Sequence, residues 1–200
     1  MLTFDEAQHQ YHWRGVPVPN VTRILAPLID LNHIPADVLE TARQKGVAVH
    51  KMVELDAKGD LDEDTLPEWM RPVLDKWREF VRDTNFVVFN SEHRVYHPQY
   101  RYAGTLDLFG HMGPEKQYVL IDVKRSFMAG AVIGLQTAAY QAALTHDTHS
   151  TIAARAKRYA LRLNENGPYR LELYQNQNDW NTFLALLTIH RWREANLKGA

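Results

Sequence analysis

The fold is decided by a stretch that reads Gly104-Thr-Leu-Asp-Leu-Phe-Gly110, then Tyr118-Val-Leu-Ile-Asp-Val-Lys-Arg-Ser126, then Leu135-Gln-Thr-Ala-Ala-Tyr140. The first two segments are rich in large apolar and β-branched residues, which predicts two strands, and the third predicts a helix. Together these segments supply two carboxylates, one ammonium group and an amide–phenol pair, from Asp107, Asp122, Lys124, Gln136 and Tyr140.

Two helices are predicted upstream of this stretch. The longer one covers about 35–58, and on it His50 and Glu54 stand four residues apart and share a face. Pro67 opens the other helix, which carries an apolar stripe. The apolar or small positions at helical spacing are Val38, Ala42, Gly46, Val49 and Val53 in the first helix, and Trp69, Val73, Trp77 and Phe80 in the second.

The N-terminal region predicts a hairpin followed by a short helix. Residues 9–18 turn near Arg14-Gly15, and Pro17 and Pro19 restrict any strand here to a sheet edge. Asn20 or Thr22 is the candidate cap of a short helix that contains Ile24, Leu25 and Leu28.

From residue 85 the periodicity changes from helices to strands. Strands are predicted at about 86–96, 102–109 and 117–123, then a helix at about 131–145, strands at about 153–163 and 169–174, and a helix at about 178–195 that buries Trp180, Leu184 and Leu187. This order predicts an α/β (α+β mixed) fold with a central mixed β-sheet flanked by helices. We expect one domain over 1–200, with the N-terminal hairpin and helices in 1–84 and a βββαββα catalytic core in 85–200.

Composition excludes several classes of protein. The 200 residues contain no cysteine, which excludes disulfide frameworks, thiolate zinc sites and cysteine-ligated iron–sulfur clusters. The net charge is −1, but residues 54–83 hold ten acidic and five basic side chains, whereas residues 151–200 hold eight basic and four acidic ones. A near-neutral total therefore permits a basic face, although a mixed solvated surface explains the charges equally well.

The pair Asp122 and Lys124 indicates the chemistry. Alternate residues on a strand point to one side of the sheet, and the apolar run before Asp122 predicts that the pair lies where a buried strand emerges. A hairpin brings Asp107 beside Asp122, and two adjacent carboxylates repel unless a cation lies between them or one is protonated. A hard divalent cation with oxygen ligands suits such a site.

Three motifs in this order and spacing, together with a fourth on an upstream helix, resemble the PD-(D/E)xK nuclease superfamily, in particular its RecB-like branch and its free-standing phage-type exonucleases. They are Gly104-x-x-Asp107, Asp122-x-Lys124, Gln136-x-x-x-Tyr140, and the upstream helix with Gly46-Val-Ala-Val-His50. The opening Tyr11-His12-x-x-Gly15-x-x-Val18-Pro19-x-Val21-Thr22 also resembles members of this group. The resemblance covers about residues 10–145 and implies a restriction-endonuclease-like core with an N-terminal helical elaboration.

The resemblance implies a role for each motif residue. Asp107, Asp122 and the backbone carbonyl of Val123 would ligate one or two Mg²⁺ or Mn²⁺ ions, with His50 as a further ligand and Glu92 as a candidate outer ligand. Lys124 would contact the attacking water and stabilise charge at the phosphorus. The implied contacts to substrate come from Gln136, Tyr140, Arg125, Ser126, Thr22 and Arg23.

Each motif alone also has an ordinary structural explanation. Asp122 and Lys124 suit a simple ion pair on a strand, and His50 suits a hydrogen-bonded core histidine. Gln136 and Tyr140 suit helix packing, and Glu92 suits an exposed surface. Glu54 is expected to be a partner of His50 or a surface acid, and a zinc site at His93/His97 or His146/His149 is disfavoured because no His-Glu-x-x-His occurs.

The function expected from the resemblance is a metal-dependent DNA exonuclease that acts at DNA ends or single strands in recombination, repair or replication. Aromatic side chains such as Tyr11, Trp13, Tyr100 and Tyr102 are candidates to stack on unpaired bases. Unwinding would come from a separate helicase, with a single-strand annealing or binding protein as another candidate partner, because no P-loop motif occurs. The alternatives are a structure-selective endonuclease or nickase, a catalytically silent nucleic-acid-binding module, and a metal-binding structural protein.

The sequence also predicts where the protein acts. The sequence contains no run of about 18 apolar residues, so no membrane span is predicted. The N-terminus lacks the basic segment and the apolar segment of a secretory signal. We therefore expect a cytoplasmic protein with no membrane partner, in a bacterial or phage-infected host cell. The lack of cysteine fits a reducing compartment.

Overall fold

The structure is a computed structural model that describes residues 1–125, 130–148 and 151–197. The order of the longer helices and strands follows the prediction from periodicity, with three short 3₁₀ turns at Ala26–Leu28, Glu63–Thr65 and Glu68–Met70. The elements are β1 (Leu2–Asp5), β2 (Gln10–Trp13), β3 (Val16–Val18), α1 (Val21–Leu25), α2 (Ala36–Lys58), α3 (Arg71–Thr84), β4 (Val87–His97), β5 (Tyr102–Met112), β6 (Gln117–Lys124), α4 (Gly130–Thr148), α5 (Thr151–Ala154), β7 (Lys157–Arg162), β8 (Arg170–Tyr174) and α6 (Asp179–Asn196).

The central sheet has five strands in the order β4-β5-β6-β7-β8. Its neighbours are antiparallel except β6 and β7, which are parallel. A parallel pair needs a crossover, and α4 with α5 provides it. The predicted α/β fold with a central mixed sheet between helices is confirmed.

Apolar side chains form a core on each face of the central sheet. On one face, α1, α4 and α6 contribute residues such as Ile24, Tyr140 and Phe183, which pack with Leu120 of β6. On the other face, α2 and α3 contribute Val49, Met52, Val53, Val73, Trp77 and Phe80, which pack with Val119, Ile121 and Val123 of β6. Because Leu120 faces α4, the alternation of the strand puts Asp122 and Lys124 on the α4 side.

The N-terminal strands form a second sheet, in the order β1-β2-β3. The predicted turn at Arg14-Gly15 is confirmed, and both residues have positive φ, 51° and 79°, as a tight hairpin requires. The sheet packs on the edge of the central sheet, where Trp13 stacks on Tyr96 with ring centroids 4.2 Å apart. The strand β1 was not predicted from the sequence.

Three details of the sequence interpretation are wrong. In α2 only the C-terminal half of the expected stripe is buried, since Val38 is 53% exposed. The predicted strand at 153–163 begins with the helical turn α5, so its strand starts only at Lys157. In α6 the most buried side chain is Phe183, whereas Trp180 and Leu184 are only partly buried.

Candidate functional site

The candidate site lies where β5 and β6 separate. The last cross-strand pair between β5 and β6 joins Leu108 to Ile121. Both strands are fully described, and no pair is formed between the residues of β5 before Leu108 and the residues of β6 after Ile121. At the next position the Val123 N–H donates a hydrogen bond to Asp107 Oδ2, at 2.6 Å. The Val123 N–H therefore bonds a side-chain carboxylate where a regular sheet would offer a backbone carbonyl of the neighbouring strand. The Asp107 side chain is inserted between the two strands, and the backbone holds it there.

Asp122 and Lys124 complete the separated ends of the strands. Lys124 Nζ lies 2.7 Å from Asp122 Oδ2. Within the described residues no hydrogen-bond donor contacts Asp122 Oδ1, although the side chain is only 1% exposed. A buried carboxylate oxygen without a donor is costly, which indicates a site built to receive a cation or a polar ligand there.

His50 and Glu92 converge on Asp107 from two other elements. His50 Nδ1 lies 3.4 Å from Asp107 Oδ1 and 3.4 Å from Glu92 Oε1. One ligand atom from each of the three residues falls within 4.8 Å of the others. Among the residues that the structure describes, this is the one group of three or more His, Asp or Glu side chains with metal-binding spacing.

The backbone of Glu92 explains how its side chain reaches this group. In the register of β4 and β5, position 92 lies opposite position 107, between the pairs Ser91–Leu108 and His93–Leu106. Glu92 nevertheless has a φ of +46°, in the left-handed region. Such a conformation costs about 1–3 kcal/mol for a residue with a side chain, and it is typical of functional sites.

The ionisable groups of the site change one another's pKa values. Burial disfavours charge on His50, but the Asp107 charge and hydrogen bonds to Asp107 and Glu92 outweigh it and raise the pKa of His50 to about 10. Burial likewise opposes ionisation of Asp107, yet His50, Lys124 and the Val123 N–H hold the pKa of Asp107 below its usual value. Asp107 is therefore an anion at neutral pH.

Burial and neighbouring charges also change the pKa values of Asp122 and Lys124. Burial raises the pKa of Asp122 to about 6, because Lys124 compensates only partly and Asp107 adds repulsion. Burial opposes the charge of Lys124, but the two aspartates outweigh it and raise the pKa of Lys124. The lysine is thus a cation, suited to stabilising negative charge rather than to accepting a proton.

The glycine of the Gly104-x-x-Asp107 motif makes room for Tyr140. A Cβ at position 104 would lie 2.5 Å from Tyr140 Cε1, so only glycine lets the ring of α4 rest against β5. Gln136 Nε2 donates to the Tyr140 hydroxyl at 3.3 Å. Burial, together with the charges of Asp122 and Asp107, raises the pKa of Tyr140, so its phenol stays protonated.

The site opens into a cleft of about 1010 Å³. Its floor contains Asp107, Lys124 and Tyr140, one wall comes from the N-terminal sheet, and the opposite wall comes from α2. Tyr11 of the N-terminal sheet hydrogen-bonds Thr105 through its hydroxyl, at 2.7 Å, and so holds this sheet against β5. The wall residues are Phe4, Glu6, His9 and Tyr11 on one side and Arg43, Gly46, Val47, Lys51 and Glu54 on the other.

The remaining predicted substrate contacts are scattered. Thr22 lines the cleft and bonds the cap residue Asn20, whereas Arg23 lines a separate groove against α6. Arg125 lies 3.4 Å from Glu165 in an ion pair. Ser126 lies outside the described residues, and for the Val123 carbonyl the role of ligand stays a prediction.

Other polar predictions also have definite outcomes. Glu54 pairs with Lys51 and Lys58 and not with His50, so it is a surface acid of the cleft wall. Tyr102 is fully buried and cannot stack on a base. The histidine pairs form no zinc cluster within the described part of the chain, since His93 contacts Asp147 and His97 packs on the ring of His146, while His149 lies outside it.

Comparison with known proteins adds no assignment. No family model matches the chain, and no curated protein matches it significantly. Among the described helices, none has the length and apolar character needed to cross a bilayer.

Proposed function

We propose that the protein is a divalent-metal-dependent deoxyribonuclease that hydrolyses phosphodiester bonds, acting as an exonuclease at DNA ends or single strands. The proposal is carried by one observation, the insertion of Asp107 between β5 and β6 beside Asp122, Lys124, His50 and Glu92. Paired carboxylates, an imidazole and a buried lysine in one cleft are the groups that metal-assisted phosphodiester hydrolysis uses.

The donor set fits Mg²⁺ or Mn²⁺. His50, Glu92 and Asp107 would hold an ion, and Asp122 Oδ1, which has no hydrogen-bond partner among the described residues, is available to a second ligand position. Carboxylate oxygens suit both metals, and the imidazole favours Mn²⁺. A bound divalent ion lowers the pKa of its water and neutralises phosphate charge.

The side chains of the protein supply orientation and charge. Lys124 remains a cation whose ammonium faces the cleft, so it stabilises the charge that grows on the phosphate. Asp107 is held in place by the Val123 N–H and does not depend on a flexible side-chain partner. Gln136 and Tyr140 present an amide and a protonated phenol to the cleft, suited to hydrogen bonds with phosphate oxygens.

The walls of the cleft support a single strand or a DNA end as the substrate. Walls from the N-terminal sheet and from α2 enclose the carboxylates on two sides, which supports entry of a single strand or an end rather than the middle of a long duplex. Arg43 and Lys51 lie on one wall, where Glu40 pairs with Arg43 and Glu54 pairs with Lys51, so phosphate groups of a substrate would have to replace these carboxylates as their partners. A separate helicase or single-strand-binding protein would supply such strands.

The test is cleavage of 5′-labelled and 3′-labelled oligonucleotides, single and double stranded, with Mg²⁺ or Mn²⁺. Asp122→Ala and Lys124→Ala should each reduce the rate at least about 100-fold, equivalent to about 2.7 kcal/mol of barrier. Asp75→Asn, on the exposed surface of α3, is the matched control and should cleave like wild type. The label pattern gives the polarity, and Mn²⁺ should outperform Mg²⁺.

Two further substrates separate the alternatives. Cleavage of circular single strands would indicate an endonuclease or nickase. Metal-enhanced DNA binding by wild type without any cleavage would overturn the proposed activity and favour a silent nucleic-acid-binding module.

A further inference from the structure

A second cavity, of about 750 Å³, lies on the other side of α4 from the cleft. The helix presents Gln136 and Tyr140 to the cleft, and it presents Ala138, Gln141 and Thr145 to the cavity. The opposite walls come from the start of β7, the end of β8 and the start of α6. A volume of this size is typical of small-molecule sites.

The walls of the cavity are held by buried polar contacts. Arg158 donates to the Gly134 carbonyl at 2.6 Å and to Asp179 Oδ2 at 2.9 Å, and so joins β7 to α4 and α6. Gln141 Nε2 donates to the Ala156 carbonyl at 2.7 Å. Buried ion pairs contribute little net stability, so this network is better explained by fixing the position of the walls.

One wall is aromatic and uncharged. Trp180 lies parallel to His97, with 17° between the ring planes, and Tyr100 lies edge-on to Trp180. His97 Nδ1 accepts a hydrogen bond from the Tyr100 N–H, and burial beside His146 lowers the pKa of His97 to about 4. The imidazole is therefore neutral at pH 7 and belongs to the aromatic surface.

The polar groups at the mouth favour an anion with a hydrogen-bonding edge. None of the described residues that line the cavity is an Asp or Glu. Lys157 is exposed at the mouth and forms no ion pair with any described residue, whereas Arg158 is already paired with Asp179. Amide side chains supply further donors and acceptors, from Gln99, Gln175, Asn176 and Gln177.

We propose that this cavity binds one nucleotide unit. The base would rest against Tyr100 and beside Trp180, whose ring already packs parallel to His97 and Phe183, the amides would contact its polar edge, and Lys157 would bind the phosphate. A flat aromatic ring with polar edges and an attached anion matches an aromatic wall, amides and a free cation. The unit is either a free nucleoside monophosphate or one residue of a DNA strand. The site is distinct from the nuclease cleft and needs no metal.

Calorimetric titration with dAMP and with a single-stranded hexamer of deoxyadenylate, both in EDTA, tests the proposal. Lys157→Gln should weaken binding about tenfold, because it removes the phosphate partner. Arg155→Gln removes the same charge two residues away, outside the cavity lining, and should stay within about twofold of wild type. Lys157 and Arg155 are both exposed, so neither change endangers folding.

The two ligands distinguish a free nucleotide from one residue of a DNA strand. Saturable dAMP binding with this variant pattern supports a free nucleotide, and the same pattern with the hexamer alone supports a strand. No saturable binding by wild type, or equal affinities of wild type and Lys157→Gln, overturns the proposal.

A cleft variant separates this site from the proposed nuclease activity. Asp122→Asn should bind dAMP like wild type, whatever its cleavage activity. If Asp122→Asn loses dAMP binding, the nucleotide occupies the cleft and the second site is refuted. If wild type binds dAMP through Lys157 but cleaves no DNA, only the proposed nuclease activity fails.

Discussion

Replacing Gly104 by alanine should destabilise the protein, chiefly through a clash with Tyr140. The new Cβ would lie 2.5 Å from Tyr140 Cε1 and 3.3 Å from Val21 Cγ2. Carbon atoms pack at about 3.5–4.0 Å, so the ring must move by about 1 Å. Tyr140 is 3% exposed and bonded to Gln136, so it has little space to move into.

The size of the effect follows from two opposing contributions. Overpacking a well-packed core costs about 1–3 kcal/mol, and alanine recovers about 0.5–1 kcal/mol of the conformational entropy that a strand glycine loses. Because Tyr140 has little space to move into, we place the overpacking cost at about 2–3 kcal/mol and expect a net loss of about 1–2.5 kcal/mol in the free energy of unfolding, measured by urea denaturation. The melting temperature should fall by about 2–8 °C for a chain of this length.

The matched control is Gly46→Ala, in the middle of α2. A Cβ there meets nothing within 4 Å, so the change should stabilise the protein by up to about 1 kcal/mol, the difference in helix propensity. A second control repeats Gly104→Ala in a Tyr140→Leu background, where the penalty should shrink because the ring is gone. A neutral Gly104→Ala variant, or a penalty that persists without the ring, would refute the reasoning.

Three further predictions concern pH, a buried ion pair and metal binding. The pKa of His97 drops from 6.5 to about 4 on folding, so the folded protein binds fewer protons in this range. The free energy of unfolding should therefore decrease by up to about 3 kcal/mol as the pH falls from about 6.5 to about 4. Urea titrations at several pH values measure this decrease, and an equal dependence on pH in His97→Gln would contradict the prediction. Asp179→Ala leaves the Arg158 cation buried without its carboxylate, so thermal unfolding should show a loss of about 3–5 kcal/mol, and a loss below about 1 kcal/mol would speak against a buried pair. Mn²⁺ at about 100 times its dissociation constant should stabilise wild type by about 2.7 kcal/mol in thermal melts and leave Asp107→Ala unchanged, whereas equal shifts would mean that the ion binds elsewhere.

Periodicity was sufficient to predict most of the central sheet. The alternation in β6 predicted that Asp122 and Lys124 share one side, because a strand has a period of two. The short strand β1 was missed, since its partner is found only once the chain has folded back on itself. The stripe of α2 was half wrong because helical spacing does not reveal how far a helix extends beyond the core, where Val38 is exposed.

The candidate site was only partly predictable from local patterns. Two carboxylates on neighbouring strands were expected to meet, but the separation of β5 from β6 at Asp107 is a property of the assembled sheet. Glu92 was expected as an outer ligand, and its place beside His50 depends on a left-handed backbone that no residue pattern announces. Glycine and asparagine favour that conformation, and glutamate does not.

The N-terminal sheet has a consequence for how the chain folds during synthesis. Tyr11 and its partner Thr105 are 94 positions apart. At about 5–20 residues per second, a ribosome needs about 5–20 s to make the second after the first. Through that interval the three N-terminal strands lack the β4 and β5 surface on which Trp13 and Tyr11 pack. The first strands to be made therefore gain these contacts only after β4 and the start of β5 have been made, so one wall of the cleft cannot be completed before synthesis reaches the strand that carries Asp107.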